Sequence, residues 1–207
     1  MSTKTVGVES ISLRYIVPND IVTGGVFDVT NEGSVSIFFN YCQTNNTDHM
    51  IVPPTFRVEG RYSSAVEHWW TIASWQPNRT APANATLTTS APVGSSTLTF
   101  DAIPSFWSLE DKIFIRHQVD ANPYDLTKSE FNSIIAIGET TIDLLDATKI
   151  SHSVISGESI DVYNLAQKWV LQLNVLAIAE LRLMIDASNC DKEFAAEAHV
   201  TIQDALA

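Results

Sequence analysis

The stretch from Glu193 to Ile202 constrains the fold most. Phe194, Ala196, Ala198, Val200 and Ile202 alternate with Glu193, Ala195, Glu197, His199 and Thr201. Successive side chains on a strand point to opposite faces, so this unbroken period of two predicts a strand with one face in a core. Val35, Ile37, Phe39 and Tyr41 repeat the pattern against Ser34, Ser36 and Asn40, with Phe38 the exception. Leu181, Leu183 and Ile185 oppose Arg182, and Met184 makes that second face partly apolar. Thr55 to Glu59 and Glu67 to Trp75 also read as strands. Gly24-Gly25, Asn31-Glu32-Gly33 and Pro53-Pro54 are the expected turns between such runs.

Composition agrees with a β-rich chain. It is 45% apolar and 17% charged over 207 residues, enough for a buried core and too apolar for disorder. Ser and Thr make up nearly a fifth of it, and Lys and Glu are few, which suits strands and turns. Acids outnumber bases 24 to 12, for a net charge of -12. Without surplus cations to displace counterions, no nucleic-acid partner is expected. The first ten residues carry one cation and no apolar run, so no secretory signal is expected. The longest apolar candidate, Val170 to Ile185, is broken by Gln172, Asn174, Glu180 and Arg182, so no membrane span is expected. Synthesis in the cytosol follows as the expectation. Cys42 and Cys190 have no CxxC spacing and are expected to be buried and reduced. The sequons at Asn45, Asn78 and Asn84 read as coincidences of a polar composition.

The middle of the chain changes character. Gln76 to Pro92 holds Pro77, Pro82 and Pro92 and reads as an extended connector, with room for a short strand at Thr86 to Thr89. Short strand signals follow at 94–100, 112–116, 130–137 and 140–145, with Gly138-Glu139 as a hairpin turn. Such spacing predicts a small antiparallel barrel. Asn164 to Ala179 admits two readings. Leu165, Val170, Leu173 and Leu176 fit a helical stripe, whereas Lys168 to Leu173 fits a strand followed by a turn at Val175 to Ala179. Strand signals on both sides favour the strand. The expected fold is all-β: an antiparallel, jelly-roll-like β-sandwich with an inserted small β-barrel. Residues 1–90 would begin the sandwich, with an N-terminal arm at Met1 to Ser10. Residues 91–162 would form the barrel, and 163–207 would complete the sandwich.

The middle segment resembles a small β-module of tailed-bacteriophage virion proteins. The matching runs are 91–100 (APVGSSTLTF), 109–115 (LEDKIFI), 130–137 (EFNSIIAI), 140–144 (TTIDL) and 150–160 (ISHSVISGESI). The module has a Gly-Asp before its second strand, then a Glu-led strand, then a His followed by Gly. Here Glu110-Asp111 stands at the Gly-Asp, Glu130 leads the strand, and His152 precedes Gly157 by a slightly longer spacing. Flanking strands with Trp69, Trp70, Trp75 and Trp169 extend the likeness to about Val35–Ile202. The resemblance implies a sandwich interrupted by a barrel, as in some phage decoration, neck and tail proteins. In that family the histidine packs and hydrogen-bonds inside the barrel.

No motif for chemistry is present. The chain has no P-loop, nucleophile elbow, His-Glu-x-x-His, EF-hand loop or dinucleotide fingerprint. No catalytic residue, metal or cofactor is expected, and no enzyme activity. Asn45-Asn46-Thr47-Asp48-His49 offers ion ligands on paper but reads as hairpin-loop chemistry. Glu67-His68 is read as part of a strand with His68 and Trp70 on one face, rather than as an acid–base pair. Trp69 and Trp75 are expected to share a face of that strand, mainly as a buried indole row. Phe106 and Trp107, in the loop after Pro104, and Pro77 and Pro82, in the connector, are the candidate subunit or lattice contacts. With the resemblance, these readings lead to a non-enzymatic virion structural protein, foremost a capsid decoration (cement) protein. Its partners would be the major capsid protein and copies of itself, as a homotrimer. The alternative is a neck, tail or fibre protein, or a module using its tryptophans to bind carbohydrate.

Overall fold

The computed structural model describes residues 5–44, 50–78, 84–117, 128–154, 159–165 and 167–204. The described residues form strands and connecting loops and contain no α-helix. In chain order the strands are β1 (Thr5–Ile16), β2 (Ile21–Asp28), β3 (Glu32–Gln43), β4 (Thr55–Arg61) and β5 (Trp70–Trp75). Then come β6 (Asn84–Thr86), β7 (Thr97–Thr99), β8 (Lys112–His117), β9 (Glu130–Ile137), β10 (Thr141–Leu144) and β11 (Ile160–Asn164). The last three are β12 (Gln167–Asn174), β13 (Glu180–Asp186) and β14 (Phe194–Asp204). The chain divides into two compact units. One comprises Met1–Tyr41, Thr47–Thr80 and Gln167–Ala207, and the other Cys42–Asn46 and Ala81–Ala166.

The first unit is a sandwich of two four-stranded sheets, ordered β1-β14-β3-β12 and β2-β13-β4-β5. The alternating runs do what their period requires. Val35, Ile37, Phe39, Leu181, Leu183, Ile185, Phe194, Ala196 and Ala198 all enter one apolar core. Aromatic rings bridge the sheets: Phe39 meets Phe56 edge-on at 5.2 Å between centroids. At the β5–β12 side, Trp75 stacks on Trp169 at 5.8 Å, and Trp169 stacks on Phe39 at 5.4 Å. The indoles therefore seal the side of the sandwich where each sheet has its last strand. Residues 167–174 form a strand, and the turn at 175–179 follows it.

Three expectations need correction here. The stretch from Thr5 to Ser10 is not a free arm, because it lies in β1, paired antiparallel with β14; residues 1–4 are outside the described residues. Two register shifts, after Glu9 and after Ile11, break the alternation that would have marked this strand. Gly24-Gly25 is not a turn. Both glycines lie inside β2, at a register shift against β13. A Cβ on Gly24 would come within 2.4 Å of the Ser10 hydroxyl and 2.8 Å of its carbonyl oxygen, so glycine admits close approach of β1. Finally, Glu67 to Trp69 precede the strand, which starts at Trp70.

The second unit is a six-stranded antiparallel sheet, ordered β6-β11-β8-β9-β10-β7. Its two edges meet: Leu87, just past β6, bridges Phe100, just past β7, and Thr88 N–H donates to Thr99 O at 3.0 Å. The curled sheet encloses Leu98, Phe100, Ile113, Ile115, Ile134, Ile142, Ile160 and Val162. The proline-bearing connector contributes to this unit, because β6 supplies an edge strand from within it, paired with β11. The β9–β10 hairpin turns one residue later than Gly138-Glu139. Gly138 N–H donates to Thr141 O at 2.7 Å, which leaves Glu139 and Thr140 at the tip. Cys42 and Cys190 are both buried, and neither is in a disulfide.

Candidate functional site

The four contact candidates separate. Trp107 is only 5% exposed and packs edge-on against Phe100, with centroids 5.8 Å apart, inside the barrel core. A turn closed by Trp107 N–H to Pro104 O, at 3.0 Å, folds it back. Being in a loop did not expose it, since one tight turn suffices to return an indole to the core. Its neighbour Phe106 is 52% exposed. Pro77 is buried, and Pro82 lies outside the described residues, as does the Asn45–His49 loop.

The strongest polar constellation sits in the barrel. β10 pairs with β9 only along Ile134–Ile137, which leaves the first half of β9 without a strand on that side. The chain after β10 takes its place through side chains. Asn132 Nδ2 donates to Asp146 O at 2.8 Å, and Asn132 Oδ1 accepts from Asp146 N–H at 3.2 Å. Glu130 Oε2 accepts from Lys149 N–H at 2.9 Å. Glu130 Oε1 lies 2.8 Å from Nε2 of His152, whose side chain is fully buried. The same segment is tied from behind. His152 and Ala91 exchange both backbone hydrogen bonds at 2.8 Å, and Thr148 Oγ1 donates to Pro92 O at 2.7 Å. Residues 145–152 thus form a strap across the barrel, with Glu130 as its anchor. Glu130 and His152, both marked by the sequence resemblance, are partners. His152 Nδ1 has no hydrogen-bond partner.

A second landmark also has a backbone reason. Ser108 to Asp111 form a turn closed by Asp111 N–H to Ser108 O. Glu110 in this turn has φ 68°, the left-handed region that favours glycine. This is the position where the resembling module carries Gly. Asp111 secures the turn by accepting from Ser108 N–H and from Asn164 Nδ2, each at 2.8 Å.

The outer face of the second sandwich sheet carries a ladder of ion pairs. Arg182 pairs with Glu59, Arg61 with Glu180, and Arg57 with Asp186. The guanidiniums of Arg182 and Arg61 lie 4.4 and 4.7 Å from the Trp69 ring centroid. Trp69 and Trp75 do not share a face. β5 pairs Ala73 with Val58 but Thr71 with Glu59, so Ile72 is an extra residue. That one-residue bulge inverts the parity, leaving Trp75 on the core and Trp69 on the arginines. Trp70, 37% exposed, meets Tyr62, 60% exposed, at 5.2 Å between ring centroids. Glu67 and His68 are both exposed.

Arg57 and Asp186 also line a pocket of about 120 Å³ with Thr55, Gln76, Ser188 and Cys190. Burial opposes ionisation of Asp186, but hydrogen bonds from Ser188 and the Arg57 charge outweigh it and hold the carboxyl below its ordinary range. Burial pushes the Cys190 thiol up, so it is not an activated nucleophile. Asp191, next along, accepts from Ile51 and Val52 N–H at 2.9 to 3.1 Å. Those bonds prevail over its partial burial and lower its pKa. No group of three or more His, Cys, Asp or Glu among the described residues is placed to hold a metal. Sequence reasoning missed the strap, because its bonds join residues with no shared periodicity. The chain matches no known family model and no curated protein.

Proposed function

We propose that the chain is a non-enzymatic structural protein of a tailed-phage virion, with capsid decoration as its role. The observation that supports this reading is the use made of Glu130 and His152. A carboxylate beside an imidazole can serve acid–base chemistry, but this pair is spent inside the barrel on fastening a strap. The left-handed turn at Glu110 adds to it, since the backbone there has the conformation that the resembling module fills with glycine. A rigid sandwich plus a tied barrel suits a lattice protein, which has to present fixed surfaces. Exposed Phe106 and Leu109 on the barrel unit offer apolar contact area to a neighbour. The partners on this reading are the major capsid protein and further copies of the chain, assembled as a trimer at a symmetry axis.

The test uses purified phage heads. Mild chaotrope is expected to strip the protein, and the stripped heads to melt at a lower temperature. Re-adding the purified chain restores both. Recovery of the protein only in isolated tails rejects the capsid role and favours the neck or tail version.

A further inference from the structure

We propose that Tyr62 and Trp70 form a binding platform for a neutral carbohydrate. Among the described residues the two rings are the aromatic pair with the greatest exposure, 5.2 Å apart and tilted by 37°. They flank the loop joining β4 to β5, and that loop is built rather than loose. Arg61 Nη1 donates to Val66 O at 3.0 Å, Val66 N–H to Ser63 O at 3.1 Å, and Ala65 N–H to Ser63 Oγ at 3.2 Å. Trp69, at the end of the loop, is held under the Arg61 and Arg182 guanidiniums. The platform is therefore preorganised, which lowers the entropy cost of binding.

The charges around it select the ligand. Arg61 is paired with Glu180 and Arg182 with Glu59, so neither cation offers an unpaired charge to an anion. Exposed Glu67 on the same loop, in a chain of net charge -12, disfavours anions further. An exposed ring pair without a net cation suits a neutral ligand with apolar C–H faces and hydroxyl edges. A sugar ring has both: its C–H face stacks on the indole and phenol, and its hydroxyls reach Glu67, His68 and the serines of the loop. This goes beyond the lattice role and does not depend on it.

The intact chain is titrated with neutral trisaccharides of glucose and of N-acetylglucosamine, and with sialyllactose. Tryptophan fluorescence and amide chemical shifts are followed. One neutral trisaccharide is expected to saturate, with shifts confined to residues 60–70 and sialyllactose weaker. Tyr62→Ala and Trp70→Ala are each expected to weaken binding about tenfold, near 1.4 kcal/mol. Trp70→Phe keeps a ring in the hairpin, so it separates lost stacking from lost folding, and an intermediate loss is expected. Absence of binding by either neutral sugar, shifts elsewhere, tighter sialyllactose binding, or full affinity in both Tyr62→Ala and Trp70→Phe overturns the proposal.

Discussion

The sandwich and the barrel solve the same problem in different ways. The sandwich keeps its charges off its apolar core: a ladder of partly exposed ion pairs lies over β4 and β13, and Glu197, buried on β14, faces away from the core against Asn40 and the half-exposed His199. The barrel takes a carboxylate and an imidazole inside. The reason lies in strand pairing. The sandwich sheets pair along most of their strands, so their backbone groups are satisfied by ladders. In the barrel, β10 leaves β9 half-way, and buried side chains must stand in for the missing strand. Pairs on an exposed face contribute about 0.2–1 kcal/mol each. A buried pair matters mostly when it is broken, because the survivor is left without its partner.

The largest effect is therefore expected in the barrel. His152→Ala leaves the Glu130 carboxylate buried without its imidazole and should cost about 3–5 kcal/mol. Denaturant unfolding measures this, and a double cycle with Glu130→Gln should show strong coupling. Arg182→Ala, on the sandwich face, should cost about 1 kcal/mol through its ion pair and its contact with Trp69. Equal costs at the two sites would dissolve the contrast between the units.

Trp107 sharpens the same contrast within one turn. Trp107→Ala removes a core indole and should cost about 3–5 kcal/mol, while Phe106→Ala should stay within about 0.5 kcal/mol. A costly Phe106→Ala in the isolated chain would contradict its placement at the surface.

How much of this was legible follows from the same division. β3, β13 and β14 could be read because their core-facing apolar residues keep a period of two, although β14 is buried on its other face as well, at Ala195 and Glu197. β9 was read to its ends, from Glu130 to Ile137, because glycine marks one of them. What could not be read are the places where one residue is added. Two register shifts hid β1 behind a sequence that looks like an arm, and another put Gly24-Gly25 inside a strand. The extra residue at Ile72 exchanged the faces of Trp69 and Trp75. Bulges keep composition and spoil parity, so a period argument fails there by one residue and then points every later side chain the wrong way. The Glu130–His152 pair was half legible. The resemblance marked both residues and placed the histidine in barrel packing, but nothing in their spacing said that they meet.

Two smaller effects probe the loops. Asp191 braces Ile51 and Val52, and its folded pKa is depressed. Its contribution is therefore present above the ordinary carboxylate pKa and is lost as pH falls through the folded value. Exchange of the Ile51 and Val52 amides, corrected for intrinsic rates, should accelerate below about pH 4. Asp191→Asn should remove that dependence and cost about 1 kcal/mol. At Glu110 the sign reverses. Glu110→Gly relieves the left-handed backbone and should stabilise the barrel by up to about 1 kcal/mol, less the entropy that glycine adds to the unfolded chain. A loss of stability there would contradict the turn geometry.

The lattice role is tested most directly by cryo-electron microscopy of the intact phage particle. Density for this chain is expected on the outer head surface, in threes about local symmetry axes, with the barrel face bearing Phe106 against a neighbour. Density for the chain only in the neck or tail, or none in the particle, would contradict it.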